Sequence, residues 1–343
     1  RYTMQLSYKW SLKDGYKKDK NPLKVFGTFV GGGGSTMGYK LAGMDHLGGV
    51  EIDTRMADLY QENQKPKYLF VEDLREFNKR NDLPDELYSL DILDGSPPCS
   101  SFSIAGARDR YWGKEKTFRE GQELQELDDL VFVYCDTINK LRPKVFILEN
   151  VKGLITGAAK AYTKKIVQKL NRYGYRVQVF LLNSSTMGVP QQRQRVFFIG
   201  RKESLEKKDL VIEFDEAPIL FGEVKENAEG KILWKGALEL WGLRRYGDYS
   251  LCDILERERG ESRMFTWRFI YKERVAPTIT ATEKNILFDH PRQMTKGEIV
   301  ACSSFPTDYN FMDQSFRYVC GMSVPPLMTA RVALEIKKQW FEW

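Results

Sequence analysis

Apolar residues come in short bursts, each stopped by a polar or glycine-rich turn, and the bursts alternate with stretches of helical period. Leu23–Phe29 is a β-rich run that ends in GGGGSTMG (Gly31–Gly38), after which Tyr39–Ala42 starts a helix. Further strands are predicted over Gly49–Asp53, Tyr68–Val71 and Tyr88–Leu93, the last stopped by Gly95-Ser96-Pro97-Pro98. Asp128–Leu141 carries Leu130, Val133, Tyr134, Ile138 and Leu141 at helical spacing, and Arg142-Pro143 breaks it. A strand over Lys144–Leu148, an amphipathic helix over 158–173, a strand over Arg176–Leu182 and an apolar strand ending at Gly200 complete the rhythm. This alternation predicts an α/β fold, a doubly wound, mostly parallel sheet with helices on both faces. From Arg201 to about Thr282 the pattern turns irregular, charged and aromatic, and a long amphipathic helix follows Pro325-Pro326 to Trp343. The division expected is an arm over 1–23, a sheet domain over 24–202 closed by 314–343, and a smaller domain over 203–313.

Open parallel sheets bind ligands outside the carboxyl ends of their strands. Phe29-Val30-Gly31-Gly32-Gly33 follows the first strand as F-x-G-x-G, although the strict G-x-G-x-x-G spacing is absent and four glycines could be no more than a flexible turn. Glu51 ends the second strand 20 positions after Gly31, where a carboxylate can accept both hydroxyls of a ribose. Glu72-Asp73 tips the third strand, and Glu149-Asn150 tips the strand from Lys144. Cys99 follows two prolines that stiffen its turn, which suits an exposed nucleophile; the alternative is a small core hydrophobe. Arg193 and Arg195, two apart at the mouth of an apolar strand, are expected to face the same way. Any one of these could be a solvated loop residue, but their convergence on strand ends predicts one crevice.

Composition narrows the chemistry. Of 343 residues 42% are hydrophobic and 13% aromatic, enough for packed cores, and no apolar run reaches membrane-spanning length. Cys99, Cys135, Cys252, Cys302 and Cys320 are odd in number and contain no C-x-x-C, which argues against a disulfide frame or a zinc site. No metal is expected, and with only His46 and His290 present the chemistry falls to Cys, Glu and Arg. A net charge of +6, spread over several basic segments, fits a polyanion partner or simply a solvated surface. Trp234, Trp241, Arg244, Arg245, Tyr246, Tyr249, Trp267 and Arg268 interleave rings with bases, as nucleic-acid surfaces do, although such rings also fill small cores.

Taken together, FVGGGGSTMG, the acidic tips Glu51 and Asp73, PPCSSFS, FILENVKGL, GVPQQRQRVFFIG, RVAPTIT and G-x-SVPP resemble, in order, the motifs of the carbon-5 cytosine DNA methyltransferases. The resemblance covers roughly 25–200 and 274–343 and implies a Rossmann-like fold that uses S-adenosylmethionine, with a target-recognition domain between. It implies that Cys99 adds to carbon 6 of cytosine, that Glu149 hydrogen-bonds ring N3, and that Arg195, together with Arg193, contacts the base oxygen. Phe29, Gly31, Gly33, Glu51, Asp73, Pro98, Leu130 and Ser323 match cofactor-contacting positions, and Val151 matches a residue packed near the flipped base. The segment Ile104–Gly121 would be the loop that fills the vacated base stack. Met322 stands where the family has Asn, Gly27 where it often has Asp, and Ser100 where Gln is common.

The implied partner is double-stranded DNA, with the protein a cytoplasmic monomer in a bacterial or virally infected cell. Two alternatives compete. One is the related tRNA cytosine-5 methyltransferase class, whose Cys-Phe-Thr signature is absent, with only Cys252-Asp253-Ile254 in the comparable region. The other is a catalytically weak DNA-binding homologue, against which the presence of Cys99, Glu149 and Arg195 counts.

Overall fold

The computed structural model describes residues 6–98, 115–117, 124–126, 130–157, 159–262 and 267–342. They divide into two compact units. The sheet unit comprises Tyr16–Asn183, Gln194–Glu213 and Thr329–Trp343, and the second unit Arg1–Gly15, Ser184–Arg193 and Phe214–Met328.

The sheet unit is built on seven strands: β1 (Lys24–Thr28), β2 (Asp45–Val50), β3 (Tyr68–Phe70), β4 (Ile92–Gly95), β7 (Val145–Val151), β8 (Tyr175–Asn183) and β9 (Gln194–Lys202). Their order is β3-β2-β1-β4-β7-β9-β8. The first five run parallel, and β9 is antiparallel to both β7 and β8, so the sheet is doubly wound and mostly parallel as predicted. A short antiparallel pair, β5 (Glu115–Thr117) and β6 (Leu124–Glu126), lies between β4 and β7 in sequence.

Helices α1 (Gly34–Leu41), α2 (Thr54–Gln64), α3 (Leu74–Lys79), α4 (Leu130–Leu141) and α5 (Ala159–Arg172) alternate with the strands. Phe26, Leu93, Phe146, Leu148 and Phe198 pack one face of the sheet against Phe77, Tyr134, Ile138 and Ile166. Tyr134 reaches through that core to donate to the carbonyls of Leu93 and Ile147, at 3.1 and 2.7 Å. A side chain at Gly95 would meet the Tyr134 ring at 2.4 Å, so only glycine fits there.

Several boundaries differ from expectation for local reasons. α1 begins at Gly34 rather than Tyr39, since Gly33 in the left-handed region (φ +90°) makes the N-cap turn itself. Asp85–Tyr88 is a 3-10 turn following Pro84, so β4 begins only at Ile92. β7 runs on through Glu149 to Val151. After β9 the chain leaves along 208–211, where two side-chain amides grip it. Gln178 bonds both backbone groups of Leu210, and Gln339 both of Val211, while the Trp340 indole donates to the Lys208 carbonyl.

In the second unit α7 (Lys235–Gly242) and α8 (Leu251–Arg259) pack Leu240, Leu251 and Ile254 on Phe269 and Ile286 of a parallel pair, β10 (Trp267–Ile270) and β11 (Lys284–Leu287). α6 (Phe221–Val224), α9 (Lys296–Cys302) and α10 (Phe316–Met322) complete it, and α11 (Pro326–Ile336) crosses from this unit into the first. Trp10 donates its indole N–H to the Ser304 carbonyl at 2.8 Å. Among the described residues no helix is long and apolar enough to cross a membrane.

Candidate active site

The glycine-rich turn forms the first wall of the crevice in the sheet unit. Phe29, immediately past β1, has φ +53°, a sparsely populated conformation for a bulky residue and a form of strain that concentrates at ligand sites. A side chain at Gly33 would press on Gln64 at 2.8 Å, whereas the space beside Gly31 is open. The Gly31 N–H donates to Glu51 Oε2 at 2.7 Å, and Asp53 N–H to Glu51 Oε1 at 2.9 Å. The carboxylate therefore ties the glycine turn to the end of β2, with lone pairs left over for further donors. Burial pushes the Glu51 carboxyl up to about 7, against the pull of the Asp53 and Gly31 amides.

Beside this turn an open slot is lined by Phe29, Val50, Ile52, Glu72, Asp73, Leu74 and Leu130. Three of the residues expected at the cofactor, Phe29, Asp73 and Leu130, thus line one apolar slot. Asp73 also N-caps α3, its Oδ1 accepting from Arg75 N–H at 2.7 Å, and its Oδ2 lies 3.1 Å from Arg75 Nη1. The slot's other walls, Val50, Ile52 and Leu74, were not singled out in the sequence, although each adjoins an acidic tip that was. Ser323 lies in the second unit as the C-cap of α10, and its hydroxyl donates to the Val319 carbonyl at 2.6 Å.

A second group gathers where β7 meets β9. Val151 pairs with Arg195, and Glu149 with Phe197, so Glu149 and Arg195 share a face and sit diagonally. Arg195 Nε lies 3.2 Å from Glu149 Oε1, and Nη1 donates to the Gln194 carbonyl at 2.8 Å. Glu149 is 7% exposed. Burial lowers the pKa of the Arg195 guanidinium, and the neighbouring Glu149 carboxylate works the other way. A buried pair of this kind is expensive to split, since either member alone would be an uncompensated charge. Asn150 donates from Nδ2 to the Pro97 carbonyl at 3.1 Å, fixing the prolyl turn that leads toward Cys99. Its part in holding that turn was not read from the sequence, although the ENV tripeptide was. Pro98 is half-buried; Cys99, Ser100 and the loop Ile104–Gly121, apart from the backbone of Glu115–Thr117, lie outside the described residues.

Arg193 does not follow the alternation expected of it, because β9 begins one residue later. It is 4% exposed, and its two Nη atoms donate to the carbonyls of Ile279 and Gly321, both at 3.0 Å. Gln191 works beside it, accepting from Ile279 N–H and donating to the Cys302 carbonyl, both at 3.0 Å. The segment before β9 thus fastens the second unit internally.

The aromatic and basic residues of the second unit fall into two sets. Trp241 donates its indole N–H to the Leu287 carbonyl at 3.0 Å, and with Trp267 it packs on the small core. Trp234, Tyr246 and Tyr249 are exposed. The Arg268 guanidinium lies 4.4 Å from the Tyr249 ring centre, and that of Arg274 lies 4.3 Å from that of Tyr271. Among the described residues no group of His, Cys, Asp or Glu could hold a metal ion.

The chain resembles known proteins along most of its length. It is 27% identical over 341 residues to the type II methyltransferase M1.HphI of Haemophilus parahaemolyticus, covering 92% of this chain and 87% of that one. It is 26% identical to the putative type II methyltransferase M.MJ0563P of Methanocaldococcus jannaschii, covering 92% of this chain and all of the other. A putative DNA modification methyltransferase encoded within a prophage in E. coli has the same fold, with a TM-score of 0.66 at 20% identity over 93% of this chain and the whole of that one. The family model for C-5 cytosine-specific DNA methylase matches residues 23–338, and the chain belongs to that family, an enzyme that transfers a methyl group to carbon 5 of cytosine in DNA.

Proposed function

We propose that this methyltransferase takes its methyl group from S-adenosylmethionine bound in the slot beside the glycine turn, and that Cys99, Glu149 and Arg195 form its reacting group. One observation supports the reading above the rest: a buried Glu149–Arg195 pair on a sheet face, next to a strand end that leads through a clamped prolyl turn to a cysteine. The slot suits the donor. Its apolar walls Phe29, Leu74 and Leu130 match an adenine, Asp73 can accept from the exocyclic amine, and Glu51 retains lone pairs for ribose hydroxyls. When bound, S-adenosylmethionine supplies an electrophilic methyl group carried on a sulfonium.

The chain's own residues do the remaining work. The Cys99 thiolate bonds to carbon 6 of an extruded cytosine, pushing electrons into the ring. Glu149 holds a proton at N3 as that charge develops, and the Arg195 guanidinium supports it at the ring oxygen. Loss of the carbon-5 proton then expels Cys99. Arg193, held by two carbonyls, positions the segment ahead of β9 rather than touching the base. The exposed rings of Tyr246 and Tyr249, with the guanidiniums of Arg268 and Arg274 beside Tyr249 and Tyr271, support a role for the second unit in choosing the DNA target. Modification within a restriction–modification system, by a cytoplasmic monomer acting on duplex DNA, fits the type II relatives.

A duplex carrying 5-fluorocytosine at the target tests the covalent step, because elimination needs a carbon-5 proton. A stable adduct is expected, with its peptide mapping to Cys99; an adduct at another residue, or none while ordinary DNA is methylated, overturns the reading.

A further inference from the structure

The proposed chemistry leaves one basic element without a role: α5, the helix that carries the chain from β7 back to β8. Its 14 residues, AKAYTKKIVQKLNR, hold Lys160, Lys164, Lys165, Lys169 and Arg172 and no acidic residue. One face packs into the sheet core through Tyr162, Ile166 and Leu170. The opposite face is exposed along Lys160, Lys164, Lys165, Gln168 and Arg172. Among the described residues Lys169 alone of the five cations has a carboxylate partner, Asp136 Oδ1 at 2.8 Å, and its Nζ lies 5.6 Å from the Phe132 ring centre.

Helix stability alone does not favour such a surface. Like charges at Lys160 and Lys164, and at Lys165 and Lys169, repel across one turn. The first turn carries Lys160 and no acid, against the positive end of the helix dipole. Neighbouring helices mix their signs: α2 sets Arg55 against Asp58 and Glu62, and in α3 Lys79 pairs with Glu76 at 2.7 Å. A local cost borne along a whole exposed face, with the apolar face intact, points to a partner that supplies the missing negative charge.

The spacing fits a repeating anion. Lys160, Lys164, Gln168 and Arg172 follow at intervals of four, a line of about 18 Å with one polar group about every 6 Å. Each strand of a duplex offers a phosphate about every 3.4 Å of axis, so the line runs alongside about five base pairs. Lysine ammonium groups meet phosphates as point charges, and such contacts carry no sequence information. β7 and β8 are both antiparallel to β9 and hence parallel to each other, so α5 runs against them, away from the strand end that holds Glu149. Lys160 is therefore the member of the line nearest the crevice end of the sheet. Resting on the reading of duplex DNA as the substrate, we propose that the outer face of α5 is a second DNA contact, one that holds the phosphate backbone outside the recognised site. It gives the enzyme a sequence-independent hold on DNA while the crevice engages a single cytosine.

The experiment compares the parent with a K160Q/K164Q/R172Q variant, following binding to a mixed-sequence duplex of about 60 base pairs by fluorescence anisotropy over a salt series. The variant should bind at least about tenfold more weakly, with a log–log slope shallower by about two to three, since each lost phosphate contact removes about 0.9. Donor affinity, melting temperature and single-turnover methyl transfer on a short duplex holding the target should match the parent. A charge-preserving K160R/K164R variant should bind and titrate as the parent does. Parental affinity and slope in the glutamine variant overturn the inference and leave the enzyme its reaction. An equal loss in K160R/K164R overturns it as well, by making the face structural rather than electrostatic. A slope that changes on folded RNA but not on duplex assigns the face to another polyanion and refutes the proposal. A parent that methylates no duplex removes the reading on which the inference rests.

Discussion

The crevice of the sheet unit and the exposed surface of the second unit treat polar side chains in opposite ways. In the crevice every named acid is already fastened. Glu51 holds two backbone amides, Asp73 caps α3, and Glu149 is paired with Arg195. Such groups lose little freedom when a ligand arrives, which is what electrostatic catalysis requires. In the second unit Tyr246 and Tyr249 stand exposed, and the Arg268 guanidinium lies 4.4 Å from the Tyr249 ring centre while its charge also bears on Glu283. On the proposed function those are the side chains that meet a base edge or a phosphate. On the proposed function, the reacting end is fastened before its ligand arrives, and the end that chooses the target is the exposed one.

Variants that sharpen this contrast can be ranked by effect. Cys99→Ser should lower turnover on the order of 10⁴-fold or more, comparable to losing other covalent nucleophiles, while donor binding measured by calorimetry persists. Arg195→Ala should lower single-turnover methyl transfer by about 10²–10³-fold with duplex affinity little changed; a loss confined to DNA binding would move Arg195 out of the rigid set.

Glu51→Gln should weaken the donor by roughly 10–100-fold, the loss of a charged partner to buried hydroxyls. In the parent, donor affinity should rise as pH climbs through about 7, because the ionised carboxylate is the better acceptor. Stability runs the other way. The folded carboxyl titrates near 7 against an ordinary value of 4.5, so between these the unfolded chain gives up its proton first. The parent should therefore lose stability as pH rises from about 4.5 to 7, with no further loss from this group above, and E51Q should lack that slope in thermal melts.

Arg268→Ala should weaken binding to the cognate duplex by about tenfold and leave donor affinity untouched. An equal loss on unrelated DNA would assign Arg268 to phosphate rather than to sequence. The smallest change is expected from raising salt with this variant, whose log–log slope should fall by about one only in that second case.

Much of the crevice was legible because its signals are local. Glu51, Asp73 and Glu149 each sit at or next to a strand end, where strand periodicity and a following cap residue fix the position within a few residues. Arg193 was not legible in the same way. Its carbonyl partners lie 86 and 128 positions away, and nothing in a two-residue spacing reveals that the strand starts after it. The early start expected for β4 failed similarly, as Pro84 winds Asp85–Tyr88 into a 3-10 turn that an apolar tally cannot see. The exposed and packed rings of the second unit look alike in sequence, since Trp234 and Trp241 differ only in what α7 covers.

The grip of Gln178, Gln339 and Trp340 on residues 208–211 has a consequence for how such enzymes diversify. The exit from the sheet is bolted down by side chains that belong to the sheet's own unit, one strand and one closing turn. The stretch beyond could then be lengthened, shortened or exchanged without loosening that scaffold. Deleting Gln339 and Trp340 would unbolt that joint, and proteolysis would then be expected to cut first at Lys207 or Lys208.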